Sequence, residues 1–265
     1  MVTYLVDQKS YPVRRACQLV KISRNGFSYQ AKKTDDHQIR ELLKGLANRY
    51  KRWGFGLMFQ WLRNQGHPWN HKRVYRVYCE LKLNFRIKPR KRLPKRTPLS
   101  LMHPLEPNYS WSMDFMSDSL ISGKAFRTLN IIDDFNRESL AIEIDLSLPA
   151  PRVIRVLNQL KEWRGLPEMI RVDNGPEFIS KKLAIWSKKN NVMLNFIKPG
   201  TPTQNAYIER FNRTFRQDIL DMYLFSNLRE VREHSTRWMY EYNAERPHSA
   251  LKNMTPVAWA KSRTV

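Results

Sequence analysis

The fold of this chain is decided around residues 169–176, where the sequence is MIRVDNGP. The first four residues predict a short buried strand, and the last four are typical of a turn at its carboxyl end. Helices are predicted on either side, over Arg152–Arg164 and over residues 178–190, and a further strand over residues 192–197. A strand, helix and strand in that order form a right-handed crossover that makes the two strands parallel. The second half of the sheet is therefore predicted to be parallel.

Three more strands are predicted upstream, over residues 111–116, 126–132 and 140–146. The last of these alternates apolar with polar or small residues, which indicates a strand with one face on the core. Short connections between the three favour antiparallel neighbours. We expect Trp163 and Ile179 to lie on the buried sides of the two crossover helices. The fold class predicted is α/β, a mixed sheet with antiparallel strands first and parallel strands after them.

The charge of the chain is strongly basic and unevenly distributed. Its 265 residues carry 47 Lys+Arg and 24 Asp+Glu, a net charge of +23. Residues 1–100 hold 24 basic and 5 acidic residues, whereas residues 101–265 hold 23 and 19. This asymmetry predicts a polyanion-binding region joined to a nearly balanced globular one. The hydrophobic fraction of 42% excludes a wholly disordered tail, and the 2 cysteines exclude a disulfide scaffold. With no apolar run long enough to cross a membrane, a cytoplasmic protein is expected.

The basic region is predicted to be helical. Residues 12–20 and a helix capped by Ser23 have the outline of a helix-turn-helix, and helices are also predicted over residues 35–50, 54–66 and 70–81. The helix predicted over residues 70–81 carries basic residues on its outer side, as a helix that lies in a DNA groove does. An ordinary amphipathic helix has the same periodicity, and only the excess of basic residues favours binding to DNA. The outward basic residues of the last helix are His71, Lys72, Arg73 and Arg76.

A proline-rich basic stretch follows these helices. Residues 86–98 contain seven basic residues and no acid, which predicts an extended linker whose Arg90, Lys91 and Arg92 contact phosphate. A linker that is merely solvated is the alternative. The predicted organisation is a helical DNA-binding region over residues 1–97, a linker over residues 98–108 and a catalytic domain with a helical extension over residues 109–265.

Three acids lie at places in the predicted fold where a carboxylate indicates a function. Asp114 interrupts an apolar strand, Asp173 ends another, and Glu209 stands in the first turns of a helix predicted over residues 205–220. Carboxylates in a polyanion-binding protein suit hard divalent cations such as Mg²⁺, and two such ions can drive an in-line displacement at phosphorus. Arg213 and Arg216 share the stripe of Glu209, which suits phosphate contacts. The alternative is an ion pair from Glu209 to Arg213. Composition also offers other acids: Asp118, Asp133, Asp134, Asp145 and Glu177.

Three runs of sequence resemble the three motifs of the DDE transposase and retroviral integrase superfamily. They are WSMDF at residues 111–115, VDNGPEF at residues 172–178 and PTQNAYIER at residues 202–210. The 35 residues between the second and third acids also match that pattern. Within the superfamily, the chain most closely resembles the OrfB product of bacterial insertion sequences of the insertion-sequence-three family. The segment from Gly54 to Val74 and the tail YNAERPHSAL at residues 242–251 are similar to that family as well.

The resemblance implies an RNase H-like fold, preceded by a small all-α helix-turn-helix region. It implies that Asp114, Asp173 and Glu209 are the catalytic and metal-binding residues, holding two Mg²⁺ ions for which Mn²⁺ can substitute. Asn174, Gln204 and Arg216 are implied to contact DNA. Asp133 and Asp134 fall outside the motifs and are interpreted as turn and capping residues.

The activity that the resemblance implies is DNA transposition, with cleavage at the ends of the element and transfer of the freed 3′-hydroxyl. The expected partners are double-stranded DNA, further copies of this chain in an oligomer, and the OrfA product, separate or fused, at the bacterial nucleoid. One alternative is a DNA-binding regulator that keeps the fold without catalysis. The other is a nuclease of the same fold that only hydrolyses.

Overall fold

The computed structural model describes residues 1–29, 35–85, 104–197 and 205–263. The chain forms two compact units, residues 1–41 and residues 42–265. In the part of the chain that the model describes, no helix combines the length and the apolar character that crossing a membrane requires. The predicted linker falls largely outside the described residues, so the predicted domain division stays a prediction.

The first unit contains three short helices, α1 (Val2–Asp7), α2 (Val13–Leu19) and α3 (Arg24–Ser28). Their small core is built from Val2, Ala16 and Cys17. The hydroxyl of Ser23 accepts a hydrogen bond from the Gly26 amide at 3.0 Å, as expected of an N-cap. The predicted pair of helices around Ser23 is confirmed, and α1 was not predicted.

Three longer helices follow: α4 (His37–Arg49), α5 (Phe55–Asn64) and α6 (His71–Glu80). Asn70 caps α6 by accepting a hydrogen bond from the Lys72 amide at 2.8 Å. The inner side of α6 is buried and apolar, through Val74, Val77 and Tyr78. The predicted helical character of this region is confirmed, with each helix a few residues shorter than its periodic pattern.

A five-stranded mixed sheet forms the centre of the second unit, in the order β3-β2-β1-β4-β5. The strands are β1 (Ser110–Ser119), β2 (Ala125–Asp133), β3 (Ser139–Asp145), β4 (Met169–Val172) and β5 (Met193–Phe196). The first three strands pair antiparallel, whereas β4 pairs parallel with β1 and with β5. The predicted mixed sheet is therefore confirmed, including its change from antiparallel to parallel.

Helices cover both faces of this sheet. One face packs against α7 (Ala150–Arg164) and α8 (Lys181–Lys189) through a core that includes Trp111 and Met113. The other face packs against α9 (Ala206–Phe215) and α10 (Leu228–Ala244) through Met116 and its neighbours. A π-helical turn, Arg216–Leu220, extends α9, and α11 (Pro256–Lys261) ends the described chain. Successive residues of a strand point to opposite faces, so Asp114 lies on the face of α9 and α10.

Two predicted core positions are wrong. Trp163 is 63% exposed and Ile179 is 58% exposed. Ile179 precedes its helix, because α8 begins at Lys181 and its N-cap is Ser180, whose hydroxyl accepts from the Leu183 amide at 3.3 Å. Residue 179 therefore belongs to the turn before the helix, where the helical period does not apply.

Candidate active site on the central sheet

Asp114 lies in the middle of β1, directly opposite Asn130 of β2. Its Oδ1 atom accepts a hydrogen bond from the Phe115 amide at 2.8 Å. Its Oδ2 atom accepts from Nδ2 of Asn212, on α9, also at 2.8 Å. The carboxylate is half-buried and is held from two sides, which fixes the direction in which its free lone pairs point.

Asp173 follows β4 directly, and the strand register brings it beside Asp114. Ser112 of β1 is aligned with Arg171 of β4, and the two acids each come two residues later in parallel strands. Oδ1 of Asp173 accepts from the Gly175 amide at 2.9 Å. A Cβ atom at residue 175 would lie 3.0 Å from that same oxygen, so glycine gives the carboxylate its room. This accounts locally for the DNG sequence.

Glu209 lies exposed in the first turn of α9, one helical turn before Asn212. Burial, and after it the negative charges of Asp173 and Glu209, raise the pKa of Asp114 to about 6. The three predicted acids therefore share one electrostatic environment. The alternative interpretation, in which Glu209 forms an ion pair with Arg213, is wrong, because no such pair is present among the described residues.

Sequence reasoning missed two residues that support Asp114. Asn212, which donates to Asp114, accepts through its Oδ1 atom from Nδ2 of Asn130 at 2.7 Å. Asn130 is fully buried on β2. The buried side of α9 is otherwise apolar, so an asparagine on that side, three residues after Glu209, is the feature of the sequence that could have indicated a polar contact.

The other candidate acids are neutralised by arginines of the chain itself. Asp133 pairs with Arg164 at 2.9 Å, Asp134 with Arg171 at 3.3 Å, Asp118 with Arg216 at 3.3 Å, Asp145 with Arg152, and Glu177 with Arg127. By contrast, Asp114, Asp173 and Glu209 form no ion pair with any Lys or Arg in the described ranges. The three acids that the motifs single out thus differ from the other five candidate acids in having no basic partner.

The interpretation of Asp134 as a turn residue is confirmed, because it lies in the turn after β2, but its side chain does not cap that turn. Its carboxylate is fully buried and accepts from the hydroxyls of Ser112 at 2.6 Å and Ser110 at 2.9 Å, besides the ion pair with Arg171. Asp133 does cap its turn, accepting from the Phe135 amide at 2.9 Å. Both acids are therefore structural.

Within the described residues, no three His, Cys, Asp or Glu side chains stand close enough together to hold one metal ion as they are. The donor atoms that Asp114, Asp173 and Glu209 offer are nevertheless carboxylate oxygens, which suit a hard cation better than a soft one. The charge repulsion that raises the pKa of Asp114 is what a bound cation would relieve.

The predicted DNA contacts near the acids lie in different settings. Asn174 is exposed and donates from Nδ2 to the Ile197 carbonyl at 2.9 Å. Arg213 is exposed, whereas Arg216 donates to the Ser117 carbonyl at 2.9 Å as well as pairing with Asp118. Gln204 lies outside the described residues. These positions do not test whether the four residues contact DNA, so their role in DNA binding stays a prediction.

The predicted recognition surface on α6 is basic and mostly exposed. Lys72 and Arg76 point away from the core, Arg73 is half-buried, and Arg76 pairs with Glu80 at 3.1 Å. His71 is exposed but packs edge-on against the rings of two phenylalanines of α5, with centroids 4.9 Å away in both cases. Arg90, Lys91 and Arg92 lie outside the described residues.

The sheet order, with an acid on the first strand, one after the fourth and one on the helix after the fifth, defines an RNase H-like integrase core. Comparison with protein families agrees: two integrase core domain models match residues 104–202 and 190–256, and an HTH-like domain model matches residues 32–92.

Comparison with known proteins identifies the family. The chain is 38% identical to an uncharacterized protein of insertion element IS407 from Burkholderia multivorans, over 93% of this chain and 90% of that one. It is 36% identical to a protein of insertion element IS476 from Xanthomonas euvesicatoria, over 93% and 72%. The chain therefore belongs to the insertion-sequence-three family of transposases, which act on DNA.

More distant relatives are also transposases or integrases. A putative transposase of insertion sequence IS150 from Escherichia coli is 22% identical over 94% of this chain and 93% of that one. The catalytic core of HTLV-2 integrase, solved with magnesium, aligns over 59% of this chain and 98% of that one, with 15% identity and a TM-score of 0.45. At that score, the fold assignment rests on the sheet order and the family models.

Proposed function

We propose that this transposase cleaves DNA at the ends of its own insertion sequence in a Mg²⁺-dependent reaction and joins the freed 3′-hydroxyl to a new phosphodiester. The observation that carries the proposal is the set of three acids, Asp114, Asp173 and Glu209, that share one electrostatic environment without a basic partner. An acid that the chain leaves unpaired beside a DNA backbone has a divalent cation as its natural counter-charge.

Asp114, Asp173 and Glu209 would hold the cations. When bound, two such ions activate a water or a 3′-hydroxyl and stabilise the leaving oxygen at phosphorus. The protein's own part is positional. Asn212 keeps Oδ2 of Asp114 in place, and the Gly175 amide keeps Oδ1 of Asp173 in place, so the carboxylates need little reorganisation when the DNA arrives.

The helical region is proposed to bind the DNA. Its basic outer surface on α6 offers His71, Lys72 and Arg76 to a DNA groove, and the basic linker adds phosphate contacts. Near the acids, Arg213 is exposed on the helix that carries Glu209. A division into a DNA-binding region over residues 1–97 and a catalytic domain over residues 109–265 accompanies this proposal, as do oligomerisation on DNA and a partnership with an OrfA product.

Strand transfer with single acid variants tests the catalytic role. Asp114→Ala, Asp173→Ala and Glu209→Ala are each expected to abolish joining of a pre-cleaved 3′-hydroxyl end in the presence of Mg²⁺. Glu162→Ala, which removes an exposed acid from α7 on the other face of the sheet, serves as the matched control. Unchanged joining in all three acid variants would assign the chain to the non-catalytic regulators instead.

The same assay separates a transposase from a nuclease. A pure nuclease nicks the intact end but gives no joined product from the pre-cleaved one. Binding of Mg²⁺ is measured independently by thermal unfolding, where the ion is expected to stabilise the wild type more than any of the three acid variants.

A further inference from the structure

Helix α10 connects the predicted DNA-binding helices to the central sheet, although the proposed chemistry uses none of its residues. On the side of the sheet, the side-chain amide of Asn243 exchanges two hydrogen bonds with the backbone of Ser139 on β3, both 2.8 Å long. Arg232 donates to the Ile144 carbonyl of the same strand at 2.8 Å. Helix α10 is therefore held directly on the sheet that carries Asp114.

Two acids at the end of α10 bind residues that lie upstream of α5. Arg49, the last residue of α4, forms ion pairs with Glu241 at 3.0 Å and with Glu245 at 2.7 Å. The hydroxyl of Tyr50 also donates to Glu245. Both acids are largely buried, with 14% and 21% of their side chains exposed. Because one arginine bridges two carboxylates, the contact fixes a geometry as well as neutralising charge.

Buried aromatic side chains lie next to this contact. Trp53 is 3% exposed, and its ring stacks on the ring of Tyr50 with centroids 3.8 Å apart. The same two residues line a small cavity together with Trp238 and Tyr242 of α10, which are buried as well. Apolar burial combined with largely buried ion pairs opposes relative motion of two regions of one chain.

The predicted recognition helix α6 is held by the same set of contacts. Phe55, the first residue of α5, packs its ring against the rings of His71 and Tyr75 on α6, with centroids 4.9 and 4.8 Å away. Asn64, the last residue of α5, donates to the Asn253 carbonyl in the segment after α10 at 2.9 Å. Side-chain contacts therefore connect α6 to the sheet through both ends of α5 and through α10.

We propose that this arrangement selects the phosphodiester that is nicked. DNA bound to α6 is held at a fixed distance from the three acids, so the nick falls a fixed number of base pairs from the bound sequence. Arg49, Glu241 and Glu245 are specificity-determining residues in this proposal, although they do not touch the reacting atoms. Successive nucleotides of a strand are ~3.4 Å apart, so motion of a few ångströms between α6 and the acids is enough to change the phosphodiester. The inference rests on the proposed function, because it assumes that α6 binds DNA and that the acids catalyse nicking.

Nicking of end-labelled DNA by the full wild-type chain in Mg²⁺ tests the fixed distance. The DNA carries the end of the insertion sequence, and the stretch bound by α6 is identified as the part of the hydroxyl-radical footprint that is lost with Lys72→Ala. A single base pair is then inserted between that stretch and the terminus. Because the distance from the bound stretch is kept, the nick is expected to move one base pair inward from the terminus.

Variants of the contact test which residues hold that distance. The ratio of nicks at the main phosphodiester to nicks at its neighbours is expected to fall about tenfold in Arg49→Ala, which loses two ion pairs, and about threefold in Glu245→Gln, which loses one. These variants change the net charge in opposite directions, so altered attraction of DNA does not explain a loss that both share. Arg229→Ala and Glu233→Gln, which break an exposed ion pair on the same helix, are the matched controls and keep the wild-type ratio. A purely structural role of the contact would lower the amount of product and leave this ratio unchanged.

The proposal is overturned if the inserted base pair leaves the nick at the terminus or abolishes it, or if both contact variants nick as precisely as the wild type. The insertion experiment uses the wild type alone, so it decides the question even if a variant does not fold. Failure of the proposed function gives different results: the wild type does not nick the unmodified end, the three acid variants keep their activity, or Lys72→Ala leaves the footprint intact.

Discussion

The side chain of Asn212 is the clearest place to test how the candidate site is held. It donates to Oδ2 of Asp114 at 2.8 Å and accepts from Asn130 at 2.7 Å. A hydrogen bond to a charged group contributes ~1.5–3 kcal/mol, and the lower end applies because Asp114 is half-buried. As one pKa unit corresponds to ~1.4 kcal/mol, Asn212→Ala is expected to raise the pKa of Asp114 from about 6 to about 7.

The pH dependence of single-turnover strand transfer measures this change at a Mg²⁺ concentration far below saturation, where most of the protein is metal-free and Asp114 keeps its raised pKa. The ionised fraction of Asp114 at pH 6 falls from about one half to about one tenth, so the rate at pH 6 is expected to fall about fivefold. The loss disappears above about pH 8, where the carboxylate is ionised in both proteins. Asn130→Ala removes the anchor of Asn212 and leaves both side-chain hydrogen bonds of Asp114 in place, so a smaller effect in the same direction is expected.

Asn158→Ala is the matched control, because the amide oxygen of Asn158 accepts a part-buried hydrogen bond from the indole N–H of Trp186 at 2.7 Å, on the other face of the sheet. It is expected to lower stability without changing the pH profile. The reasoning is refuted if Asn212→Ala keeps the wild-type midpoint, or if its rate is reduced by the same factor at every pH.

Three further predictions concern stability. The pKa of Asp114 is about 6 in the folded protein against 3.8 in the unfolded chain, so the protonated carboxyl favours folding and this contribution to stability is lost as pH rises from about 4 to 6. Asp114→Asn is therefore expected to stabilise the metal-free protein by ~1–2 kcal/mol at pH 7, and not at pH 4, in thermal melts. Asp134→Asn leaves the buried arginine beside it unpaired and should cost ~3 kcal/mol in urea unfolding, whereas Glu233→Gln, in an exposed pair, should change stability by less than ~0.5 kcal/mol. Leu183→Ala should cost ~2–4 kcal/mol and Ile179→Ala less than ~1 kcal/mol in urea unfolding; equal losses would mean that Ile179 is buried as deeply as Leu183.

The five strands and the helices from α2 to α9 were predictable from the sequence because their periods agree with their burial, whereas α1 was not predicted. The two wrong core positions lie at helix ends. Trp163 continues the apolar stripe of α7, whose Val156 and Leu160 are buried, yet it is exposed in the last turn. Periodicity tells which side of a helix a residue faces, and it does not tell whether the rest of the fold extends far enough to cover it. Ile179 failed because a capping serine starts α8 after it.

The candidate site was predictable in part. The three acids were predicted because each stands in a motif that is visible over a few residues, and their catalytic role stays a prediction. Asn130 and Asn212 were not predicted, because their hydrogen bond joins residues 82 apart in sequence and depends on how α9 packs on the sheet. The position of Asp134 in a turn was predictable from the local sequence, whereas its buried contacts with Ser112 and Arg171 were not, because these partners come from two strands distant in sequence.

The distribution of arginines over this sheet explains why Asp114, and not Asp134, is suited to recruit cations. Both are carboxylates on the sheet whose pKa is raised by burial. Asp134 is compensated within the fold, by two hydroxyls and by Arg171. Asp114 is given an amide from Asn212 and the charges of two further acids, although basic residues outnumber acids 47 to 24 in the chain. With so large an excess of basic residues, an acid cluster without a basic partner is a specific feature of the fold, and in the proposed function the positive charge it lacks comes from solution when DNA is bound.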